Sequence, residues 1–313
     1  MLKEEDDLSW YARKADSLRG EAPVPCAPAD PAAAARSAAL LAELSAGGIR
    51  GSIADRTLYT RRLPPGCRGC LAGRGTNCYV TGLCTRECFF CFNEQPRTDQ
   101  LVLHGIRIED PGEAREIVER YGLRSVGLSG GEPLLFPDRV LALLRVLRSG
   151  PHRCRVDLYT NGDRADDETL RRLKEAGLDS VRFNLAANGF DTAPVERALR
   201  YFPETTVEVP VIPDRLPEYE AMALKLDGLG VPYLNIHELF ACRENAPGVA
   251  ASGFSAKSRS ADLTWMPTAE GEEAALRLLL FSLRRARTLS VYYCSCRTQE
   301  LIGRRGLARR RSS

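Results

Sequence analysis

The feature that most limits the fold is an alternation of apolar runs and helical patterns that begins near residue 77. The runs are short and rich in β-branched residues, and they fall near 77–83, 124–129, 154–160, 180–186, 206–212 and 233–239. Helix signals lie between them, and the longest helical pattern runs from Thr268 to about Arg287. Strictly alternating strands and helices predict a parallel sheet. Six such units predict an α/β fold built as an open, partial (β/α)6 barrel.

The chain divides into four predicted segments. Residues 1–66 form an N-terminal extension, in which prolines mark a linker and Asp30-Pro31 begins an alanine-rich helix. Residues 67–76 are a short lead-in that carries cysteines, and residues 77–240 are the barrel core. Residues 241–313 comprise a long loop, the final helix, a C-terminal cysteine-bearing segment and a basic tail, which we expect to be solvated.

Charge and cysteine content restrict the class of protein. The net charge of +3 is too small to predict a nucleic-acid partner or an acidic membrane surface. No apolar run approaches the roughly 20 residues of a membrane span, and the polar N-terminus does not resemble a signal peptide. Eleven cysteines in such a chain indicate metal ligands in a reducing cytoplasm rather than disulfides. We therefore expect a cytoplasmic protein.

Polar and glycine-rich motifs follow the predicted strands at the point where each strand ends. Ligands of parallel α/β folds bind at the carboxyl ends of the strands, so we expect these motifs to share one rim. In strand order they are Cys84 to Cys91, Ser129 to Pro133, Thr160 to Gly162, Asn184, Pro213-Asp214, and His237-Glu238.

The motif after the first strand has the spacing C-x3-C-x2-C, formed by Cys84, Cys88 and Cys91. Three thiolates can hold three corners of a four-iron cluster and leave one iron open for another ligand. A structural zinc site normally has four closed ligands, and a disulfide is disfavoured by the odd number of thiols. The motif therefore favours an open iron–sulfur site.

The motif after the second strand is Gly130-Gly131-Glu132-Pro133. Two glycines allow the backbone to approach a ligand closely or to adopt positive φ. Glu132 could accept charge-assisted hydrogen bonds from an ammonium group. The alternative is a plain turn with a solvated glutamate.

The pairing of C-x3-C-x2-C with Gly-Gly-Glu-Pro on the next strand resembles the radical S-adenosylmethionine (SAM) superfamily over residues 77–240. The resemblance implies a radical SAM barrel with a [4Fe-4S] cluster on the three cysteines, whose open iron binds SAM. It also implies further contacts with SAM. The adenine would be contacted by Phe90 and, less specifically, by Val211 and Pro213. The methionine amino group would be bound by Gly130, Gly131 and Glu132, and the ribose by Asn184.

The same resemblance implies an activity. SAM would be cleaved reductively to a 5′-deoxyadenosyl radical, which abstracts hydrogen from an unidentified peptide or biosynthetic metabolite. The electron would come from an external donor of the flavodoxin or ferredoxin type. Two alternatives remain open, a glycyl-radical-enzyme activase and a non-catalytic iron–sulfur or zinc-binding protein.

A second group of four cysteines lies outside the predicted core, at Cys67, Cys70, Cys294 and Cys296. Four thiols suffice for a closed cluster or a zinc site, and ligand softness favours an auxiliary [4Fe-4S] cluster. Zinc and unpaired thiols remain open. We expect this site at the base of the barrel or along its open side. The flanking stretches resemble a branch of the superfamily related to pyruvate formate-lyase activating enzymes, which supports a second cluster.

Three rim residues are candidate catalytic residues. Asn161 follows the third strand and is a candidate rim contact, although Asn-Gly is also a common turn. His237 and Glu238 could form a proton-transfer pair or contact a substrate. Adjacent strand residues point to opposite faces, so we expect only one of the two to face the site.

Overall fold

The computed structural model describes residues 24–28, 30–150, 153–257 and 265–310. The first part of the predicted extension and the end of the basic tail lie outside the described residues. Within the described ranges, no helix has both the length and the apolar character needed to cross a membrane.

The described residues contain thirteen strands. In chain order they are β1 (Arg50–Ser52), β2 (Thr57–Tyr59), β3 (Gly75–Thr81), β4 (Val102–Leu103), β5 (Ile106–Arg107), β6 (Ser125–Gly130), β7 (Arg155–Thr160), β8 (Ser180–Phe183), β9 (Thr206–Val211), β10 (Tyr233–Glu238), β11 (Phe240–Ala241), β12 (Met266–Pro267) and β13 (Ser290–Cys294).

The α-helices of the described residues include at least one between each successive pair of the strands β3, β6, β7, β8, β9, β10 and β13. They are α1 (Pro31–Ala46), α2 (Pro65–Leu71), α3 (Glu113–Arg120), α4 (Pro137–Arg148), α5 (Asp167–Glu175), α6 (Ala193–Leu199), α7 (Leu216–Gly228), α8 (Ala246–Ala251), α9 (Gly271–Arg285) and α10 (Cys296–Arg310). Several begin with the predicted signals. The Asp30 carboxylate accepts a hydrogen bond from the Ala32 backbone N–H ahead of α1, and Pro137 is the first residue of α4.

Eleven strands form one sheet in the order β1-β2-β13-β10-β9-β8-β7-β6-β3-β4-β5. From β13 to β3 every neighbouring pair is parallel. The pairs outside this parallel region are antiparallel. The edge strands β1 and β5 do not pair with each other in the described structure, so the sheet is open, consistent with the predicted partial barrel. The predicted α/β class is confirmed.

The two faces of the sheet differ in chemistry because alternate side chains of a strand point to opposite faces. On the outer face, Val156 of β7 and Val207 of β9 are fully buried in the main hydrophobic core, and α9 packs against β9, β10 and β13. Each such side chain contributes about 1.5–3 kcal/mol when fully buried. On the inner face, Asp157, Arg182 and Glu208 bond to one another. We call the space along this inner face the lumen.

The sheet contains one parallel strand more than the sequence predicts. The sequence places Cys294 simply after the final helix, whereas Ser290–Cys294 forms β13 and pairs in parallel with β10. The β1–β2 hairpin of the N-terminal extension then pairs with β13 in antiparallel fashion. The described part of the basic tail is helical, since it belongs to α10, which contacts α2, and most of its residues from 303 to 310 are exposed, as the sequence predicts.

Helix α2 lies across the amino ends of the barrel strands. It contacts β3, β6 and β7, and its two glycines make this close approach feasible. A methyl group on Gly66 would overlap the carboxylate of Asp157, and one on Gly69 would overlap the hydroxyl of Ser125. The cysteines of the predicted lead-in are therefore carried on a helix at the base of the lumen.

Candidate active site

The three cysteines of the C-x3-C-x2-C motif lie on the loop that follows β3. All three are half-buried free thiols, and the backbone N–H of Cys91 donates to the carbonyl of Cys88 over 3.0 Å. Their number matches three ligand positions of a four-iron cluster. The loop that carries them is called the cysteine loop below and spans residues 82–93.

The cysteine loop is fixed to the turn after β7. The guanidinium of Arg86 makes a bidentate ion pair with Asp163, with N–O distances of 2.6 and 2.9 Å, and the hydroxyl of Thr85 donates to the same carboxylate over 2.7 Å. Hydrogen bonds from Arg86 lower the pKa of Asp163 and keep it charged. Sequence reasoning missed Asp163, although its position directly after Asn161-Gly162 is a usable signal.

Gly130 and Gly131 allow the second rim motif to pack directly on the cysteine loop. The backbone N–H of Gly131 donates to the Thr81 carbonyl, and that of Glu132 donates to the Leu83 carbonyl, both over 2.7 Å. Gly130 has φ +119°, and a methyl group on Gly131 would overlap the Leu83 carbonyl oxygen. The close approach predicted for a ligand is therefore made, in the structure, by the backbone of the chain itself.

Glu132 is completely buried and bonds to protein groups around it. Its carboxylate accepts hydrogen bonds from the hydroxyl of Thr160 over 2.8 Å and from the backbone N–H groups of Asn161 over 2.8 Å and Leu134 over 3.0 Å. Burial raises the pKa of Glu132 in spite of these bonds. The side chain thus braces the end of β6 against the end of β7, and its contact with a methionine amino group stays a prediction.

Two asparagines complete this rim. The amide nitrogen of Asn161 donates to the Thr85 hydroxyl over 2.8 Å and lies 3.8 Å from the sulfur of Cys84. Asn184 follows β8, and its side-chain oxygen is buried without a hydrogen-bond partner. Burying an unpaired acceptor costs free energy, so this oxygen suits a ligand that brings a hydroxyl donor, as a ribose does.

The three residues predicted to contact the adenine lie in different surroundings. Phe90 is half-buried on the cysteine loop, and its ring lies edge-on to Phe89 at 5.4 Å. Val211 is fully buried in the main core, on the outer face of β9, so only its backbone can reach the lumen. Pro213 begins a short 3-10 turn just beyond β9. The adenine contacts predicted for these three residues stay predictions.

Comparisons with known proteins cover the part of the chain that carries most of this rim. Residues 78–210 match the family model of the radical SAM superfamily. The chain carries a radical SAM domain. The prediction of a radical SAM domain is thereby confirmed over these residues, and such a domain implies an iron–sulfur cluster and SAM.

Individual relatives resemble parts of the chain. A protein of Methanocaldococcus jannaschii, which carries the provisional name glycyl-radical enzyme activating enzyme, is 28% identical over 230 residues, or 70% of this chain and 60% of that protein. The GTP 3′,8-cyclase of Chlorobaculum tepidum is 29% identical over 160 residues, or 51% of this chain and 46% of the cyclase. The chain thus spans less than two thirds of either relative.

The fold also resembles a solved structure. The crystal structure of Streptococcus suis SuiB bound to S-adenosylmethionine superposes with a TM-score of 0.51 at 13% sequence identity, over 70% of this chain and 50% of SuiB. At this level of identity the likeness concerns the fold alone.

Two of the predicted catalytic residues of the radical SAM domain point in opposite directions from β10. His237 faces the lumen, where its Nε2 lies 2.9 Å from the carboxylate of Glu208 and its Nδ1 lies 3.1 Å from the Cys294 carbonyl. Burial disfavours a charged ring, but the bonds to Cys294 and Glu208 outweigh it and raise the pKa of His237 to about 10.

Glu238 is buried on the other side of the strand. Its carboxylate accepts the backbone N–H of Cys296 over 2.8 Å and so caps α10. Only His237 faces the lumen, as the alternation of strand residues requires. The catalytic roles of both residues stay predictions.

The four cysteines of the second group do not lie together in the structure. Cys67 and Cys294 are buried in one cluster with Tyr292, and Cys70 lies one helical turn from Cys67 on α2. Cys296 instead belongs to a separate buried cluster with Phe240 and Cys242. The structure therefore brings three of the four predicted ligands towards the base of the lumen, and the fourth lies elsewhere.

Proposed function

We propose that this chain is a radical SAM enzyme whose [4Fe-4S] cluster is held by Cys84, Cys88 and Cys91. The observation that carries the proposal is the convergence, on one rim, of three half-buried thiols, the packed Gly130-Gly131 turn and the unpartnered oxygen of Asn184. Sulfur ligands suit iron–sulfur clusters, and a count of three leaves one iron for SAM.

When bound, the cluster and SAM would supply the reactive chemistry, namely reductive cleavage of SAM by one electron from an external donor and abstraction of a hydrogen atom from the substrate. The residues of the chain hold and orient these groups. Asp163 and Arg86 fix the cysteine loop against the turn after β7. Asn184 offers an acceptor for a ribose hydroxyl.

The finer parts of the proposal concern partners and location. A flavodoxin- or ferredoxin-type protein would deliver the electron, and the substrate would be a peptide or a biosynthetic metabolite. A cytoplasmic location stays a prediction from the cysteine content. The name of the Methanocaldococcus jannaschii relative favours a second candidate, activation of a glycyl-radical enzyme, for which the substrate would be a protein backbone.

The proposal also includes a second [4Fe-4S] cluster, supported by the thiols at the base of the lumen. Two four-iron clusters would give about eight iron atoms per chain, and one would give about four. Iron and zinc analysis of the anaerobically purified and reconstituted chain tests this part. About four irons together with zinc would refute the second cluster and leave the first intact.

The activity is tested by incubating the reduced, reconstituted chain with SAM under anaerobic conditions. We expect 5′-deoxyadenosine to form, and the triple variant C84A/C88A/C91A to form none. The control is Cys78→Ser, because Cys78 is a thiol buried in the main core. Absence of the nucleoside, together with no change in the cluster spectrum on addition of SAM, would overturn the proposal.

Isotope tracing distinguishes a peptide or metabolite substrate from a glycyl-radical enzyme. Deuterated peptides, metabolites and a glycyl-radical enzyme are each incubated with the chain and SAM. Deuterium in the 5′-deoxyadenosine identifies the molecule from which hydrogen is taken. Transfer from the backbone glycine of a partner enzyme would favour the activase.

A further inference from the structure

The base of the lumen gathers three thiols from two elements that are distant in sequence. Cys67 and Cys70 are separated by one turn of α2, so they lie on the same side of that helix. Cys294 is the last residue of β13 and packs with Cys67 in one buried cluster. The side of α2 with Cys67 also meets Arg182 of β8 and Asn235 of β10. Cys67 and Cys294 thus meet on the inner face of the sheet, and Cys70 lies one helical turn from Cys67 on α2.

Cys296 is separated from this group by the start of α10. The chain leaves β13 at Cys294 and enters the helix at Cys296, and the backbone N–H of Cys296 is bound by Glu238. Glu238 points away from the lumen, opposite to His237. The side chain of Cys296 is buried with Phe240 and Cys242 instead. A site that uses Cys67, Cys70 and Cys294 does not need Cys296.

Buried donors are directed at the sulfur of Cys67. The amide nitrogen of Asn235 lies 3.3 Å from this sulfur, and the guanidinium nitrogen Nη1 of Arg182 lies 3.5 Å from it. Arg182 and Asn235 are 3% and 1% exposed. Two N–H donors, one of them cationic, would stabilise the negative charge that this buried sulfur carries when it binds a metal.

The donors themselves are held rigidly. Arg182 makes ion pairs of 2.8 Å with Asp157 and with Glu208, and the amide nitrogen of Asn235 donates to Glu208 over 2.9 Å. The side-chain oxygen of Asn235 is buried without a partner. This arrangement resembles the outer shell of a metal site, in which hydrogen-bonded partners orient and tune the ligands.

We propose that Cys67, Cys70 and Cys294 hold the second [4Fe-4S] cluster inside the lumen, that Arg182 and Asn235 are positioning residues for the Cys67 sulfur, and that Cys296 is not a ligand. The inference rests on the second cluster of the proposed function and is independent of SAM cleavage. In the described ranges, no three His, Cys, Asp or Glu side chains meet closely enough to hold one metal ion. A four-iron cluster, which is larger than a single ion, holds its thiolates farther apart.

The ligand set is tested in the full chain with the first site removed. The background is the triple variant C84A/C88A/C91A, so that all remaining iron reports on the lumen. We expect about four irons per chain in this background, with a four-iron signal in Mössbauer spectra. Adding C67S, C70S or C294S should remove this iron. Adding C296S, or C242S as a matched control from the same buried cluster, should leave it bound.

Two outcomes would overturn the ligand assignment: iron that is absent from the triple variant, or iron lost with C296S as completely as with C294S. Circular dichroism of each variant verifies that the fold is retained. The proposed function fails separately, because SAM cleavage is measured on the chain with all cysteines present. Retained lumen iron without SAM cleavage contradicts only the activity. SAM cleavage without lumen iron contradicts this inference and the second cluster of the proposed function, and leaves the activity standing.

The positioning role is tested by the reduction potential of the lumen cluster. Hydrogen bonds to cluster sulfur stabilise the reduced, more negative state, so Asn235→Leu should shift the potential to a lower value while the iron content stays unchanged. The control is Ser125→Ala, since this hydroxyl lies near α2 and donates to the Gly66 carbonyl rather than to sulfur. An unchanged potential in the Asn235 variant, measured by electron paramagnetic resonance during redox titration, would overturn the role.

Discussion

At the scale of single residues, Gly131 is where two loops of the candidate site touch. Its backbone lies so close to the Leu83 carbonyl that any side chain would force the cysteine loop to move. We expect Gly131→Ala to lower the free energy of unfolding by roughly 1–3 kcal/mol, the usual cost of overpacking, and to reduce the iron bound at Cys84, Cys88 and Cys91. Denaturant unfolding and iron analysis measure both effects.

The matched control for this prediction is Gly228→Ala. Gly228 ends α7, and a methyl group there would meet no atom within 4 Å. We expect this change to be neutral or to stabilise the fold by up to about 1 kcal/mol. Equal iron content in the Gly131 variant and the parent chain would contradict the proposed packing of the two loops.

Asn184 allows stability and ligand binding to be separated at one position. Its buried oxygen has no partner, so Asn184→Ala removes an unsatisfied group and should leave stability unchanged or raise it by about 1 kcal/mol. The same change should weaken SAM binding about tenfold, because the ribose hydroxyl loses its acceptor. Thermal unfolding of the free chain and SAM titration of the reconstituted chain test the two parts. Loss of stability with unchanged SAM affinity would contradict this role.

At the scale of elements, Asp227 joins the end of α7 to the segment that leads into β13. Its carboxylate accepts the backbone N–H groups of Arg287, Thr288 and Leu289 over 2.7–2.8 Å. Partial burial disfavours the charged form, but these bonds outweigh it and lower the pKa of Asp227 to about 2.

The depressed pKa of Asp227 predicts a pH dependence with a definite sign. The contribution to stability is fully present above the unfolded pKa of about 4, and it is lost as the pH falls from there through about 2. Asp227→Asn should therefore lower the free energy of unfolding by about 1 kcal/mol at pH 7 and by less at pH 3. Asp214→Asn, at an exposed aspartate, serves as the control. If the loss of unfolding free energy in Asp227→Asn is as large at pH 3 as at pH 7, the proposed role of the Asp227 carboxylate is contradicted.

The helix and strand boundaries show which elements can be predicted locally. Pro137 and Asp30 mark helix starts by chemistry that acts within one turn, and β3 and β6 to β10 lie within the predicted apolar runs or overlap them closely. The strand β13 was missed because its five residues follow a long helix and carry no turn signal that separates them. Its identity as a strand depends on pairing with β10 and β2, which are distant in sequence.

At the scale of the whole molecule, the proposed clusters connect parts of the chain that are far apart. The lumen site would join α2 to β13, and the rim site would fix the cysteine loop. Ligands that bind only the folded state stabilise it, and metal binding to preorganised thiols contributes to folding. We therefore expect removal of iron by a chelator under anaerobic conditions to lower the melting temperature by several degrees, as measured by calorimetry.

The variants with cysteines removed serve as controls for the chelation experiment. Chelation should lower the melting temperature less in C84A/C88A/C91A than in the parent chain, because one of the two sites is already lost. It should have no effect when Cys67 and Cys294 are also replaced. An equal shift in all three proteins would mean that the chelator acts on something other than the clusters.

The sequence by itself determined the parallel strand–helix alternation and the position of the candidate motifs at the ends of the parallel strands. Both follow from local signals, since the period of the side chains fixes each element and parallel strands bring their carboxyl ends to one edge. The C-x3-C-x2-C motif is also a local signal, because Cys84, Cys88 and Cys91 all lie on one loop.

Only the tertiary structure decided which distant groups meet. It placed Cys67 beside Cys294 and separated Cys296 from them, and it showed that Gly131 makes room for the cysteine loop. These facts depend on how β13 and α2 pack around the barrel. The periodicity of a segment indicates whether it forms a helix or a strand, but not which distant element it packs against. Each element could pack against several others, and the choice is made only when the whole core assembles.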